Sequence, residues 1–303
     1  MHMKERISLE YYVLDVFSNK SYTGNPLSVV FTNGDMVLGD YQNISKEFGY
    51  SETSFVYYCK EQKALDVRSF TPTGVEVGAG AGHNLLGAVC AALLKGMQIF
   101  GEQDETKPFV MMKNTAIYLQ ATFDNIHQTA VAQIQQKPAI VGQTIPAGKI
   151  AKALCLTSDD LKIDSLVPTV VQTEVAHTMV PVKNRQLLND CMPDNHQLIE
   201  ISKQYQFEGF YCFTFPEKAQ DYVVESRFFN PLIGIDEDAA TGTAAGPLIG
   251  FLAKNNYIKP NKEYKILQGV KLNRPSLIET MVRDVDILVG GSSIITMQGK
   301  IYL

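Results

Sequence analysis

No two of the five cysteines fall in a C-x-x-C, and their number is odd, so the chain encodes neither a disulfide framework nor a local zinc or dithiol motif. The histidines, at 2, 83, 127, 177 and 196, show no H-x-x-x-H or H-x-H spacing. That argues against a local metal cluster and leaves long-range ligand sets open. Gly148-Lys149 is followed by Ile150, so the Ser or Thr of a phosphate-binding loop is missing. Gly78-Ala79-Gly80-Ala81-Gly82-His83 begins like a dinucleotide fingerprint, but His83 stands where the third glycine belongs. Basic charge is scarce: 27 Lys and Arg against 32 Asp and Glu give a net charge of −5, without the basic stripe that a nucleic-acid partner needs. The longest apolar run, Leu85 to Leu94, has ten residues including Gly87, well short of the ~18 of a membrane span. Met1 to Arg6 leads into mixed polar sequence without a short apolar core, so no secretory signal is expected and the expected location is the cytoplasm.

What is present is an ordinary globular balance, 45% apolar and 19% charged, in 303 residues, room for about two domains of ~150 each. Tyr11 to Phe17 reads as a strand, Gly24-Asn25-Pro26 as a turn, and Leu27 to Phe31 as a second strand. Ile44 to Phe48 reads as a short helix ended by Gly49. Ser51 to Tyr58 alternates Thr53, Phe55 and Tyr57 against Glu52, Ser54 and Val56, a half-buried strand pattern. Leu65 to Phe70 is another strand, and Asn84 to Leu94 an apolar helix. Cys90, inside that apolar run, and Cys212, between Tyr211 and Phe213, read as core thiols.

The most informative feature is an internal echo. Arg68-Ser69-Phe70-Thr71-Pro72 recurs as Arg227-Phe228-Phe229-Asn230-Pro231, 159 residues later. At the same offset Gly87 matches Gly246 and Leu93 matches Leu252. Both copies run strand, Pro-bounded turn, small-residue loop, apolar helix, which points to a duplicated unit of domain size with a boundary near 122–130.

The two loops before the helices are the candidate chemistry. Small residues let a ligand approach the backbone, and a helix N-terminus favours an anion such as a carboxylate. In a pseudo-symmetric protein both N-termini can face one interdomain cleft, with His83 and Asp238 beside the loops as proton carriers or substrate hydrogen-bonders. Each residue also has a plain structural reading. His83 can cap its helix, Thr241 or Thr243 can be the N-cap, and Asp238 can sit in a solvated acidic turn. Glu52, on a half-buried strand, can face water. Pro247 fits the first turn of a helix starting near Gly246, or a kink in one that starts earlier.

Taken together, the ordered set Asp15-Val16-Phe17, Gly24-Asn25-Pro26, Ser51-Glu52-Thr53-Ser54-Phe55-Val56, Arg68-Ser69-Phe70-Thr71-Pro72, Gly82-His83, Glu237-Asp238-Ala239-Ala240-Thr241-Gly242-Thr243-Ala244 and Asn273-Arg274-Pro275-Ser276 resembles the PhzF-like phenazine-biosynthesis family. The resemblance implies an α+β fold of two pseudo-symmetric β-barrel-like domains, each wrapped around a central helix, like diaminopimelate epimerase. It divides the chain into 1–125 joined by a return segment 286–303, and 126–285. It implies a cofactor-independent isomerase, with no metal, that moves a proton on a small carboxylate resembling dihydro-hydroxyanthranilate, and a homodimer. Glu52 would be the acid/base; Gly82, His83, Asp238, Gly242 and Thr243 would bind substrate or relay protons. A carboxyl desolvated in a cleft can shuttle a proton near neutral pH, and enclosure slows proton loss to water.

Three features depart from the family pattern: Thr243 in place of serine, Asn84 after His83 in place of proline or alanine, and a Glu76–His83 loop one residue longer. All touch the expected pocket, so the resemblance speaks for proton transfer more than for one substrate. Racemisation by paired cysteines is disfavoured, because the two loops hold His83 and Thr243 and no cysteine. The reading from a different class is a non-catalytic small-ligand-binding or interaction protein on the same fold. Retention of Glu52, His83 and Asp238 together weighs against it.

Overall fold

The computed structural model describes residues 7–78, 82–97, 99, 109–124, 126 and 128–303. Ala79 to Ala81 of the first small-residue loop, His2 and His127 lie outside the described residues. Two compact units result: one runs to Ile134 and takes in Gly291–Leu303, the other is Gln135–Gly290.

The first unit begins with β1 (Ser8–Val16), β2 (Asn25–Phe31), α1 (Leu38–Phe48), β3 (Thr53–Cys59) and β4 (Ala64–Phe70). It continues with α2 (His83–Leu94), β5 (Phe109–Met112), β6 (Thr115–Asp124) and β7 (Thr129–Gln136). β7 stays with this unit to Ile134 because it pairs with β6 in an antiparallel hairpin. The second unit holds β8 (Ile140–Thr144), α3 (Ala147–Ala153), β9 (Thr169–Gln172), β10 (Ala176–Pro181), α4 (Arg185–Asp190) and α5 (Asn195–Tyr205). After these come β11 (Phe210–Thr214), β12 (Val224–Asn230), β13 (Ile235–Asp238), α6 (Gly242–Lys254), β14 (Glu263–Gln268) and β15 (Ser276–Arg283). The long β16 (Asp286–Tyr302) pairs with β15 at its start and with β1 from Ser293 onward.

The strand pairing of the first unit is repeated in the second. β1–β2 is antiparallel, β2–β3 parallel across α1, β3–β4 antiparallel, β4–β5 parallel across α2, and β5–β6 antiparallel. β9–β10 is antiparallel, β10–β11 parallel across α4 and α5, β11–β12 antiparallel, β12–β14 parallel across α6, and β14–β15 antiparallel. Each parallel step needs a crossover, and a helix supplies it. The sequence echo falls on equivalent places: Arg68 and Arg227 lie on β4 and β12, and Gly87 and Gly246 are each fifth in their helix.

α2 and α6 are the central helices. His83 to Ala92 are all buried, and α2 packs against β1, β2, β3, β4 and β6. In α6 only Thr243 and the last two residues escape full burial. Both start earlier than apolarity alone indicates, since polar or small first residues carry no hydrophobic signal. The glycines mark where strands press on helix: a Cβ at Gly87 would lie 2.5 Å from Leu27, and one at Gly246 1.8 Å from Gln136 Oε1. Pro247 therefore lies inside α6, not in its first turn. Without an N–H, it cannot give the helical bond that would end on the Thr243 carbonyl.

On the outer side of the first unit, α1 lays Tyr41 and Ile44 on Phe55 and Phe70, with Tyr41 edge-on to Phe55 at 4.7 Å. The helix spans Leu38–Phe48, longer than the Ile44–Phe48 expected, because its first turns are mostly polar; Gly49, at φ 68°, ends it as expected. Since α1 covers one face of β3 and α2 the other, the strand is buried on both sides from Thr53 to Val56. The half-buried pattern read from alternation is corrected accordingly. Ser54 is tolerated inside because its hydroxyl bonds Ser69 Oγ at 2.7 Å and donates to the Asn84 carbonyl at 3.1 Å. Cys90 and Cys212 are buried free thiols, and burial pushes Cys90 up to about 12.

His177 on β10 is fully enclosed. Its Nδ1 accepts the Gly209 N–H at 3.2 Å, its ring stands edge-on to Phe228, and Nε2 has no partner among the described residues. Burial pushes it down to about 3. The folded protein thus keeps it neutral while the unfolded chain protonates it below its ordinary value near 6.5. This contribution to stability is complete above pH 6.5 and is lost as pH falls toward 3, by up to about 1.4 kcal/mol per pH unit. Urea melts at pH 7, 6, 5 and 4 are expected to show a shallower fall for His177→Gln than for wild type; equal slopes would rule the effect out.

Candidate functional site

In the first unit the site forms where β3 begins and α2 begins. Extending the alternation of β3 back by one residue places Glu52 on the face of Ser54, which looks onto α2. The plain structural alternative, a glutamate facing water, does not hold, because the central helix occupies that side. Glu52 Oε2 lies 3.4 Å from His83 Nε2, with side chains 17% and 10% exposed. The approach lacks hydrogen-bond geometry, and Oε2 is buried without a hydrogen-bond partner among the described residues. Ser51 Oγ is 3.5 Å from the same His83 nitrogen. Gly82 is the N-cap residue of α2, and its carbonyl accepts the Leu86 N–H at 3.1 Å. Asn84 turns Oδ1 to the Leu85 N–H at 2.9 Å, while its Nδ2 is buried and unpartnered among the described residues.

In the second unit, β13 ends at Asp238 and α6 begins at Gly242. Thr241 is the N-cap residue, yet its hydroxyl does not cap the helix; it donates to Asp238 Oδ2 at 2.6 Å. Gly242 gives its carbonyl to Gln136 Nε2 at 3.1 Å, and Thr243 is half-buried in the first turn. The structure thus brings Glu52, His83 and Gly82 together in one unit, and Asp238, Gly242 and Thr243 together in the other. Reading the sequence missed Ser51, which directly precedes Glu52 in a quoted motif, and the buried pair Tyr211 and Gln268. Gln268 ends β14 five residues before Asn273 and carried no signal of its own.

The repeated arginines set the loops that lead to both helices. Arg68 holds Glu76 with Nε–Oε1 2.8 Å and Nη2–Oε2 3.0 Å, and Arg227 holds Glu237 with 2.9 and 2.8 Å. Such forked pairs fix geometry as well as charge. The Arg68 guanidinium keeps the Glu76 carboxyl below its usual range. Glu237 directly precedes Asp238, so the second clamp sits one residue from a candidate site group. Among the described residues, no group of three His, Cys, Asp or Glu could hold a metal ion, and no helix is long and apolar enough to cross a membrane.

Comparison with known proteins covers nearly the whole chain. The model of the family described as phenazine biosynthesis-like protein matches residues 14–299. The uncharacterized isomerase YddE of Escherichia coli O157:H7 is 30% identical over 305 residues, covering 96% of this chain and 97% of its own. The trans-2,3-dihydro-3-hydroxyanthranilate isomerase of Pseudomonas aeruginosa is 28% identical over 304 residues, covering 97% and 99%. The crystal structure of the Bacillus anthracis phenazine biosynthesis protein, PhzF family, has a TM-score of 0.86 at 20% identity, covering 98% of this chain and 100% of that one.

Proposed function

The chain belongs to the phenazine biosynthesis-like, PhzF family and is an isomerase, and we propose that it moves a proton on a small carboxylate substrate with Glu52 as the acid/base. The observation that carries this reading is Glu52 Oε2, a buried carboxylate oxygen 3.4 Å from His83 Nε2 with no hydrogen bond spent on it among the described residues. A fold does not leave such an oxygen unsatisfied without cost, and sites of chemistry are where that cost is accepted. Its lone pair is available to take a proton from a substrate carbon. The same carboxyl then returns that proton to another carbon, so the net change is a shifted hydrogen and double bond. Enclosure limits exchange with water between the two steps. His83 stands beside the carboxylate to support its charge, and Gly82 brings backbone close to the ligand.

By the same reading Asp238, Gly242 and Thr243 bind substrate or relay protons, no cofactor takes part, and the chain works as a cytoplasmic homodimer. The probe is trans-2,3-dihydro-3-hydroxyanthranilate, the substrate named for the Pseudomonas relative. Incubation in deuterated buffer followed by NMR is expected to show rearrangement or deuterium entry at carbon. Binding of the probe without either change would overturn this substrate and favour the non-catalytic ligand-binding reading.

A further inference from the structure

We propose that Gln268, backed by Tyr211, is a positioning residue that commits Asp238 Oδ2 to accepting a hydrogen bond, so that any proton Asp238 carries resides on its other oxygen. Gln268 is fully buried at the end of β14, and all four of its hydrogen-bonding positions are used. Oε1 accepts the Tyr211 hydroxyl at 2.8 Å and the Thr241 N–H at 3.1 Å. Nε2 donates to the Asp238 carbonyl at 2.9 Å and to Thr241 Oγ1 at 3.0 Å. The orientation of the amide follows from chemistry: a backbone N–H can only donate and a backbone carbonyl can only accept.

That orientation has a consequence for the next group along. Thr241 Oγ1 receives a hydrogen from Gln268, so its own hydrogen goes to Asp238 Oδ2, 2.6 Å away. Tyr211 is fully buried on β11, so one enclosed network ties the central strands to the loop that presents Asp238. The residue behind Gln268 leaves no slack. Gly269 has φ +79°, and a Cβ there would stand 2.4 Å from the Arg274 carbonyl and 2.5 Å from that of Ala239.

The inference rests on Asp238 being a substrate-binding or proton-relay group. Gln268→Glu keeps the size and, once ionised, replaces the two N–H donors with an oxygen that can only accept. Thr241 then turns its hydroxyl toward the residue 268 carboxylate, and Asp238 Oδ2 loses the Thr241 hydrogen bond. In ¹³C-labelled protein, the Asp238 Cγ titration midpoint is expected to rise by about one pH unit in Gln268→Glu, and less in Tyr211→Phe. With trans-2,3-dihydro-3-hydroxyanthranilate, kcat is expected to fall about tenfold with KM little changed, and the acid limb of its pH profile to move upward. Thermal melts and Thr241 amide exchange report whether each variant stays folded. A folded Gln268→Glu whose residue 268 carboxyl is ionised and whose Asp238 nevertheless titrates as in wild type overturns the proposal, whatever the turnover. Full activity in Asp238→Asn would instead remove the relay reading of Asp238, while the titration still decides on Gln268.

Discussion

Glu52→Gln is expected to reduce proton transfer on the dihydro-hydroxyanthranilate probe by roughly 10²–10⁴-fold, the range of a lost general acid/base. Binding of the probe should remain close to wild type. The amide preserves the shape of the side chain and its place beside His83, but neither of its terminal atoms can take a proton from carbon. The carboxylate oxygen that does so in the wild type is already desolvated and unpartnered among the described residues, so the substitution removes a buried charge without breaking a hydrogen bond of that oxygen. Folding stability is therefore expected to hold or rise slightly, the reverse of what a structural glutamate would give. NMR in deuterated buffer supplies the rate, and a urea melt supplies the stability. A variant as active as wild type would move the acid/base elsewhere, and a variant that unfolds would make Glu52 a structural residue.

The opposite signs expected for activity and stability at Glu52 show why it was hard to find from spacing. Alternation along Ser51 to Tyr58 correctly identifies a strand, but it cannot tell which face meets solvent. That depends on α2, whose central place in the unit is a tertiary fact. Only the ordered motif set singles out Glu52. The repeat was more legible, because Arg68 and Arg227, Phe70 and Phe229, and Gly87 and Gly246 each meet the same local demand in both copies. Strand order follows the echo, since the same succession of hairpins and crossovers surrounds each copy. What stayed silent was residue-level satisfaction of buried polar groups. Nothing in a lone glutamine at 268 or a tyrosine at 211 announces that they saturate one another and Thr241, since those partners converge from separate strands and a helix N-terminus. The early turns of α1 were missed for a related reason. Its helical face is built by Tyr41, Ile44 and Ser45 packing against β3 and β4, with polar residues between.

The arginine pair that made the repeat visible also carries the largest expected effect on stability. Arg227 is 8% exposed and its partner Glu237 12%, and the third guanidinium nitrogen donates to the carbonyls of Leu188 and Cys191, both at 2.9 Å. Its plane also lies 4.9 Å from the Phe229 ring centre. Arg227→Met keeps much of the volume but leaves the largely enclosed Glu237 carboxylate without its Arg227 partner and strips the donor from the carbonyls that end α4. Removing one partner of a buried pair costs about 3–5 kcal/mol, a large share of the ~5–15 kcal/mol that holds a domain together. Arg68→Met breaks the same fork in the first unit, but there the side chains are 33% and 23% exposed, so solvent screens the loss. The expected cost is about 1 kcal/mol. Arg227→Lys should behave more like Met than like Arg, because one ammonium cannot serve both carboxylate oxygens and the α4 carbonyls. Adding Glu237→Gln to Arg227→Met should recover part of the loss by removing the stranded charge. Urea midpoints of the four variants test this ordering, and it fails if Arg227→Met costs no more than Arg68→Met. Because Glu237 adjoins Asp238, the Arg227 variants should also loosen the loop that starts α6, seen as faster amide exchange at Thr241, while Arg68→Met leaves that amide unchanged.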